Sequence, residues 1–134
     1  MCGIAGLWDP HASPDPATLH AMIGTLRHRG PDDLGIRVDG PAGRPHPRPS
    51  IIRRAGGHQP LGNEDGTVWT SFNGEIFNYV ELRERLRASG HRFATDSDTE
   101  VLVHLYEEHG DDFLLHLNGQ FALALWDARR RRLV

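Results

Sequence analysis

The sequence has few of the features that mark secreted or membrane-spanning proteins. Cys2 is its single cysteine, so neither an internal disulfide nor a multi-cysteine metal site can form. No apolar run approaches the roughly 20 residues of a spanning helix, and the first residues lack the charged-then-apolar pattern of a signal peptide. We therefore expect a cytoplasmic protein with no membrane partner.

The chain also lacks a strong excess of charge. Its 15 basic and 18 acidic residues give a formal charge of -3, which offers no general attraction to nucleic acid. The one basic run, at residues 129–132, has no surrounding aromatic or basic cluster and is predicted to be a solvated hairpin tip. The nine histidines include no helical pair four residues apart and no zinc-finger spacing. We expect small-molecule chemistry, with no nucleic-acid partner and no metal site.

The N-terminal half predicts short elements separated by turns. Residues 2–8 form a predicted strand, and Asp15 followed by Pro16 predicts the start of an amphipathic helix closed by the cations of residues 27–29. Further strands are expected at 34–38 and 50–52. The intervening stretch 39–49 holds four prolines and two glycines, which predicts an exposed loop.

The second half has clearer signals, and it predicts strands and helices in alternation. A strand is expected at 68–72, with a bend at Asn73-Gly74, and a helix anchored by Leu82 and Leu86 follows and ends at Gly90. The next helix has a Ser97-to-Glu100 capping box, ends at Gly110 and is expected to bury Val101, Leu102, Leu105 and Tyr106. A well-buried strand at 121–126 and a hairpin turn at 127–132 complete the predicted elements. Hairpin-length connections favour antiparallel pairing, so an α+β layered fold fits better than a doubly wound one. Leu133 and Val134 resemble the start of a return strand, so we expect a chain truncated at its C-terminus.

Cys2 has chemistry that depends on its position. Removal of the initiator methionine would leave a thiol and a free α-amine on one residue. The α-amine has a reference pKa of about 7.7–8.0, so part of it is neutral near pH 7.5 and can accept the thiol proton. Attack on a carboxamide would give a thioester and ammonia. The alternative is a small buried apolar residue, which is how most lone cysteines behave.

Four other residues suit the same reaction. The Asn73 side-chain amide and the Gly74 N–H could both donate to a tetrahedral oxyanion, although an ordinary Asn-Gly turn is the alternative. Glu75 and Asp98 suit the α-ammonium of an amino-acid substrate, and Arg48 suits its carboxylate. An acidic residue in the first turn of a helix is also expected from the helix dipole, which is the alternative for Asp98.

Six blocks of sequence resemble the N-terminal glutaminase domain of asparagine synthetases, in the usual order of that family. The six blocks are Met1-Cys2-Gly3-Ile4-Ala5-Gly6, Arg27-His28-Arg29-Gly30-Pro31-Asp32-Asp33, His58-Gln59-Pro60-Leu61, Asn73-Gly74-Glu75-Ile76-Phe77-Asn78-Tyr79, Ser97-Asp98-Thr99-Glu100 and Asn118-Gly119-Gln120-Phe121-Ala122. The resemblance implies the four-layer αββα sandwich of antiparallel sheets found in N-terminal nucleophile hydrolases. It also implies Cys2 as nucleophile, Asn73 and Gly74 as oxyanion hole, and Arg48, Glu75 and Asp98 as glutamine-binding groups.

The resemblance also implies a division of labour between domains. Residues 1–134 would form an incomplete class II glutamine amidotransferase domain that releases ammonia from glutamine. In the family, a second domain captures that ammonia on an ATP-activated aspartyl group, so ATP and Mg²⁺ are expected only there and no cofactor is expected in this chain. The expected partners are glutamine and that synthetase domain, with a homodimer also considered.

One stretch departs from the family pattern and keeps other functions open. Pro47 and Pro49 flank Arg48, where they remove two backbone donors from the segment that would support the arginine. A catalytically silent or regulatory domain of the same fold is therefore one alternative. A glutaminase that serves another acceptor, as in secondary metabolism, is the other.

Overall fold

A computed structural model describes Ile4, Leu7, residues 15–26, His28 and residues 59–134. Cys2, Arg48, the predicted strands at 34–38 and 50–52 and the predicted loop at 39–49 lie outside these residues, as does most of the predicted strand at 2–8. The elements are helix α1 (Pro16–Gly24), strands β1 (Leu61–Gly62) and β2 (Val68–Ile76), helices α2 (Tyr79–Ala88) and α3 (Glu100–His109), a 3₁₀ segment (Gly110–His116), and strands β3 (Gly119–Asp127) and β4 (Arg132–Leu133). Among the described residues, no helix has the length and apolar character needed to cross a membrane.

The strands form one antiparallel sheet in the order β1-β2-β3-β4. The predicted α+β class with antiparallel pairing is confirmed. The described ranges contain this single sheet, and the second sheet of a four-layer sandwich would have to draw on residues outside them. The predicted hairpin is also confirmed, because β4 returns along β3 after a turn that begins at Ala128.

Helix α3 packs on one face of the sheet, and α2 packs against α3. In α2 the predicted anchors Leu82 and Leu86 are buried, and in α3 the apolar residues from Val101 to Tyr106 are buried on nearly every side. Helix α3 packs against α2, β1 and β2, so it lies at the centre of the described core. Phe113, in the 3₁₀ segment, closes the core with its ring edge-on to Tyr106.

The start of α3 differs from the predicted capping box. Glu100 does not reach back to Ser97; its buried carboxylate accepts hydrogen bonds from the N–H groups of Ala94 and Thr95, both at 2.7 Å, and from the Thr95 hydroxyl at 2.5 Å. The Ser97 hydroxyl accepts from Thr99 N–H at 3.2 Å. The α2–α3 connection is therefore folded around Glu100, which holds the preceding segment in a fixed path.

Helix α1 begins where the sequence predicted. The Asp15 carboxylate accepts hydrogen bonds from the N–H groups of Ala17 and Thr18, each at 3.2 Å. These two bonds, the one from Ala17 first, lower the pKa of Asp15. The helix ends at Gly24, before the cationic segment that was predicted to close it.

Strand β2 is longer than predicted. The bend expected at Asn73-Gly74 is wrong, because both residues continue the strand and pair with Ala122 and Phe121 of β3. Strand β3 itself is confirmed, but it is less buried than predicted, since Leu125 is the only buried residue within 121–126. Pairing with β3 thus determines the backbone at this Asn-Gly pair, in place of a local turn.

Candidate active site

Three of the predicted site residues lie in a row near the C-terminal end of β2. Asn73 and Glu75 are two residues apart, so their side chains project from the same face of the strand. Phe72 and Ile76 are buried on the opposite face, against the helices. Asn73 is half-buried and Glu75 is exposed, so both side chains lie away from the helical layer.

Gly74, between them, is required by the close approach of β3. A Cβ atom placed on Gly74 would meet Phe121 Cα at 2.5 Å and would lie still closer to the Gln120 carbonyl oxygen. The neighbouring strand has a matching glycine, because a Cβ on Gly119 would collide with the Glu75 carbonyl oxygen. Neither glycine leaves room for a side chain beside the candidate site, and Gly74 also has a positive φ of 157°, which L side chains rarely adopt.

On the side of β2 that faces away from β3, backbone N–H groups between Phe72 and Ile76 are bonded by side chains. Phe72 N–H donates to Gln59 Oε1 at 2.5 Å, and Ile76 N–H donates to Asp98 Oδ2 at 3.1 Å. N–H direction alternates along a strand, so the Gly74 N–H points to the same edge, midway between these two bonds. Within the described residues, no side chain or loop carbonyl accepts from it.

Asp98 reaches the end of β2 from the α2–α3 connection. Its bond to Ile76 N–H joins residues 22 positions apart and places the carboxylate one residue beyond Glu75. The structure therefore places the Asp98 carboxylate at the Ile76 end of the strand that contains Asn73, Gly74 and Glu75. Helix α3 begins at Glu100, so Asp98 lies just before the helix and directs its carboxylate to the backbone of β2.

The sequence reasoning missed two residues that build this region. Gln59 accepts from the backbone beside Gly74, as described above. Asn78 connects β2 to the start of β3, because its amide donates to His116 O at 3.0 Å and its carbonyl accepts from Asn118 N–H at 2.9 Å. Both residues lie in the family-like blocks, and that membership was the available signal.

Comparison with known proteins identifies the class. A family model described as "Glutamine amidotransferase domain" matches residues 1–134, and the chain belongs to that family. It is 43% identical over 131 residues to asparagine synthetase [glutamine-hydrolyzing] 1 of Bacillus subtilis, covering 95% of this chain and 21% of that relative. It is 48% identical over 136 residues to asparagine synthetase [glutamine-hydrolyzing] 2 of Arabidopsis thaliana, covering 100% of this chain and 23% of that relative.

These similarities confirm the resemblance inferred from the six blocks. The chain spans about a fifth of the length of the curated relatives that it matches. Among solved structures, it is similar to the glutamine phosphoribosylpyrophosphate amidotransferase of B. subtilis in complex with ADP and GMP. That similarity has a TM-score of 0.46 and 30% sequence identity, and it covers 58% of this chain and 20% of that chain.

Proposed function

We propose that this chain hydrolyses glutamine to glutamate and ammonia, with Cys2 as the nucleophile. The observation that carries the proposal is the edge of β2 at Gly74. There a backbone N–H lies between two N–H groups that are already bonded, next to the Asn73 side chain and one residue from Glu75. A fixed N–H and a nearby amide are the donors that a developing oxyanion needs.

The reaction follows from the chemistry of an N-terminal cysteine. After removal of Met1, the Cys2 α-amine takes the thiol proton and the sulfur attacks the glutamine side-chain carbonyl carbon. Gly74 N–H and the Asn73 amide stabilise the oxyanion that forms. The C–N bond then breaks, the α-ammonium returns its proton to the leaving nitrogen, and ammonia departs. Water attacks the resulting thioester, which releases glutamate and restores the thiol.

Recognition of glutamine is assigned to charged groups around this edge. Asp98 uses Oδ2 to accept from Ile76 N–H, and its position beyond Glu75 suits it to accept from the substrate α-ammonium. Glu75 is exposed on the same strand end and adds negative charge there. Arg48 is proposed to bind the substrate carboxylate through a bidentate pair.

The ammonia is proposed to serve asparagine synthesis. The support is the similarity to relatives that are named glutamine-hydrolysing asparagine synthetases and are about five times longer than the matched region. The acceptor chemistry, with its ATP and Mg²⁺, would belong to a synthetase domain and not to residues 1–134. Cytoplasmic location and a homodimer are further expectations of this assignment.

Asp98→Asn tests the binding site directly. The amide oxygen of asparagine can still accept from Ile76 N–H, so the melting temperature should change little, but the negative charge facing the substrate is lost. A charge-assisted hydrogen bond contributes about 1.5–3 kcal/mol, so KM for glutamine should rise about 10- to 150-fold with kcat largely retained. Glutamate release measured against glutamine concentration gives both constants.

Asp96→Asn is the matched control. Asp96 lies two residues before Asp98 in the same α2–α3 connection. Its side chain is fully exposed and forms an ion pair with Arg83 at 3.1 Å. This variant should leave KM unchanged, because exposed ion pairs contribute little. An unchanged KM in Asp98→Asn, with the parent chain active, would remove Asp98 from the glutamine site.

A further inference from the structure

A second cluster of ionisable side chains lies at the other end of β2. Glu64 comes from the turn between β1 and β2, His91 from the α2–α3 connection, and His104 and Glu107 from α3. Each offers one ligand atom, and these four atoms all lie within 4.8 Å of one another. Asn63 joins Glu107 of the cluster to the Val68 end of β2, whereas Asp98 binds the N–H of Ile76 at the other end of the strand.

The spacing of the central atoms matches a tetrahedral metal site. Zinc bonds to nitrogen and oxygen at about 2.0–2.2 Å, which places neighbouring ligand atoms roughly 3.3–3.6 Å apart. Glu107 Oε2 lies 3.1 Å from His104 Nδ1 and 3.5 Å from His91 Nδ1. Glu64 Oε2 lies 3.7 Å from His104 Nδ1. All four atoms lie within 4.8 Å of one another, so one ion could bind them after the longer separations shorten by up to about 1.2 Å.

Each histidine also has a carboxylate behind it. The outer nitrogen of His91, Nε2, lies 3.3 Å from Glu108 Oε1. The outer nitrogen of His104, Nε2, lies 3.9 Å from Glu100 Oε1. Histidines that bind metals commonly direct the opposite ring nitrogen at a carboxylate, which fixes the ring and makes it a stronger ligand. Both rings here have their Nδ1 atoms inward and their Nε2 atoms toward such a partner.

Each of the two carboxylates of the cluster also has one oxygen bonded to the surrounding protein and the other facing the centre. Glu107 Oε1 accepts from the Asn63 amide at 2.6 Å and Glu64 Oε1 accepts from Arg92 N–H at 2.9 Å, which leaves both Oε2 atoms facing the centre.

His104 shows an imbalance that a metal would correct. Its side chain is fully buried, and its Nε2 atom has no hydrogen-bond partner. With the ring proton on Nδ1, donating to Glu107 at 3.1 Å, the bare Nε2 faces the Glu100 carboxylate. A metal bound at Nδ1 would move the proton to Nε2, where it faces that negative charge.

We propose that Glu64, His91, His104 and Glu107 bind one divalent transition-metal ion of the zinc class as a structural site. This inference departs from the expectation of no metal that the histidine spacing gave. Two imidazoles favour zinc over magnesium or calcium, which prefer oxygen ligands alone. The ion would join the β1–β2 turn, the α2–α3 connection and α3, and so would stabilise the helical layer independently of glutamine hydrolysis.

Zinc titration of the full chain tests the proposal. A Cys2→Ala background prevents the thiol from binding the metal, and competition with a chromophoric chelator gives the affinity and stoichiometry. We expect one Zn²⁺ per chain. His91→Ala and Glu64→Gln, whose side chains are not buried, should each weaken the affinity at least about 10-fold. At a free zinc concentration of 100 times Kd, the ratio of folded to unfolded chain should increase about 100-fold, seen as a higher melting temperature.

His109→Ala is the control for general histidine binding. The His109 ring stacks on His116 at 4.0 Å and is not among the four ligands, so its loss should leave zinc affinity unchanged. Two results would overturn the proposal. One is the absence of saturable zinc binding, and the other is an affinity that His91→Ala and Glu64→Gln do not lower more than His109→Ala does.

Discussion

Cys2→Ala is expected to lower the release of glutamate from glutamine by between about 10³- and 10⁶-fold. Without the sulfur no thioester can form, and only the acceleration provided by substrate binding and the oxyanion donors remains. The α-amine is still present in this variant, so the loss isolates the thiol. The measurement is glutamate and ammonia production at saturating glutamine.

Glutamine binding separates this loss from a folding defect. Cys2→Ala should bind glutamine with a Kd within a few-fold of the parent chain, because the proposed binding groups Arg48, Glu75 and Asp98 are intact. Cys2→Ser keeps an N-terminal nucleophile of lower reactivity and should show intermediate turnover. Unchanged turnover in Cys2→Ala would assign the chemistry to another residue.

Gly74→Ala is expected to damage both stability and catalysis. The new methyl group would overlap Phe121 Cα and the Gln120 carbonyl oxygen, which are backbone atoms of β3 that cannot rotate away. Overpacking of this kind costs about 1–3 kcal/mol or more, so the melting temperature should fall by several degrees. Strand separation would also move the Gly74 N–H, and loss of one oxyanion donor lowers kcat about 10²- to 10³-fold.

Gly24→Ala provides the matched control. Gly24 lies at the end of α1, and a Cβ placed there meets no atom within 4 Å. This substitution should leave the melting temperature and kcat close to those of the parent chain. If Gly74→Ala behaved like Gly24→Ala in both measurements, the close approach of β2 and β3 would have no functional consequence.

Much of the fold was predictable because its signals are local. The periodicity around Leu82 and Leu86 and the apolar run from Val101 to Tyr106 predicted two helices that the structure confirms. The hairpin turn after Asp127 was also predicted correctly. In each case the residues that determine the conformation lie within a few positions of it.

The conformation of Asn73-Gly74 was not predictable in this way. An Asn-Gly pair favours a tight turn when only its neighbours are considered. Here the pair lies in β2 because β3, about 50 residues away, supplies Ala122 and Phe121 as partners. Glycine is required by the β3 backbone that faces Gly74 and by the positive φ of Gly74, and the local sequence contains neither.

The contacts of Asp98 and of the cluster around His104 were also not predictable, because they join segments that are distant in the sequence. Asp98 was predicted as a site residue, but its bond to Ile76 N–H spans 22 positions and appears only in the folded chain. No metal site was expected from the sequence, because the histidines include no helical pair and no zinc-finger spacing, and the cluster around His104 was not detected. Its candidate ligands come from three segments, so no spacing rule for a single helix or finger could detect them.

The central claim is that the Cys2 thiol of this chain attacks the side-chain carbonyl of glutamine. The most direct test is incubation of the full chain with a glutamine analogue that carries an electrophilic side chain, followed by mass spectrometry of the N-terminal peptide. We predict stoichiometric labelling of a Cys2 that has lost Met1, with protection by excess glutamine and with simultaneous loss of glutamate release. Labelling at another residue, or a fully active chain whose Cys2 stays unmodified, would contradict the account.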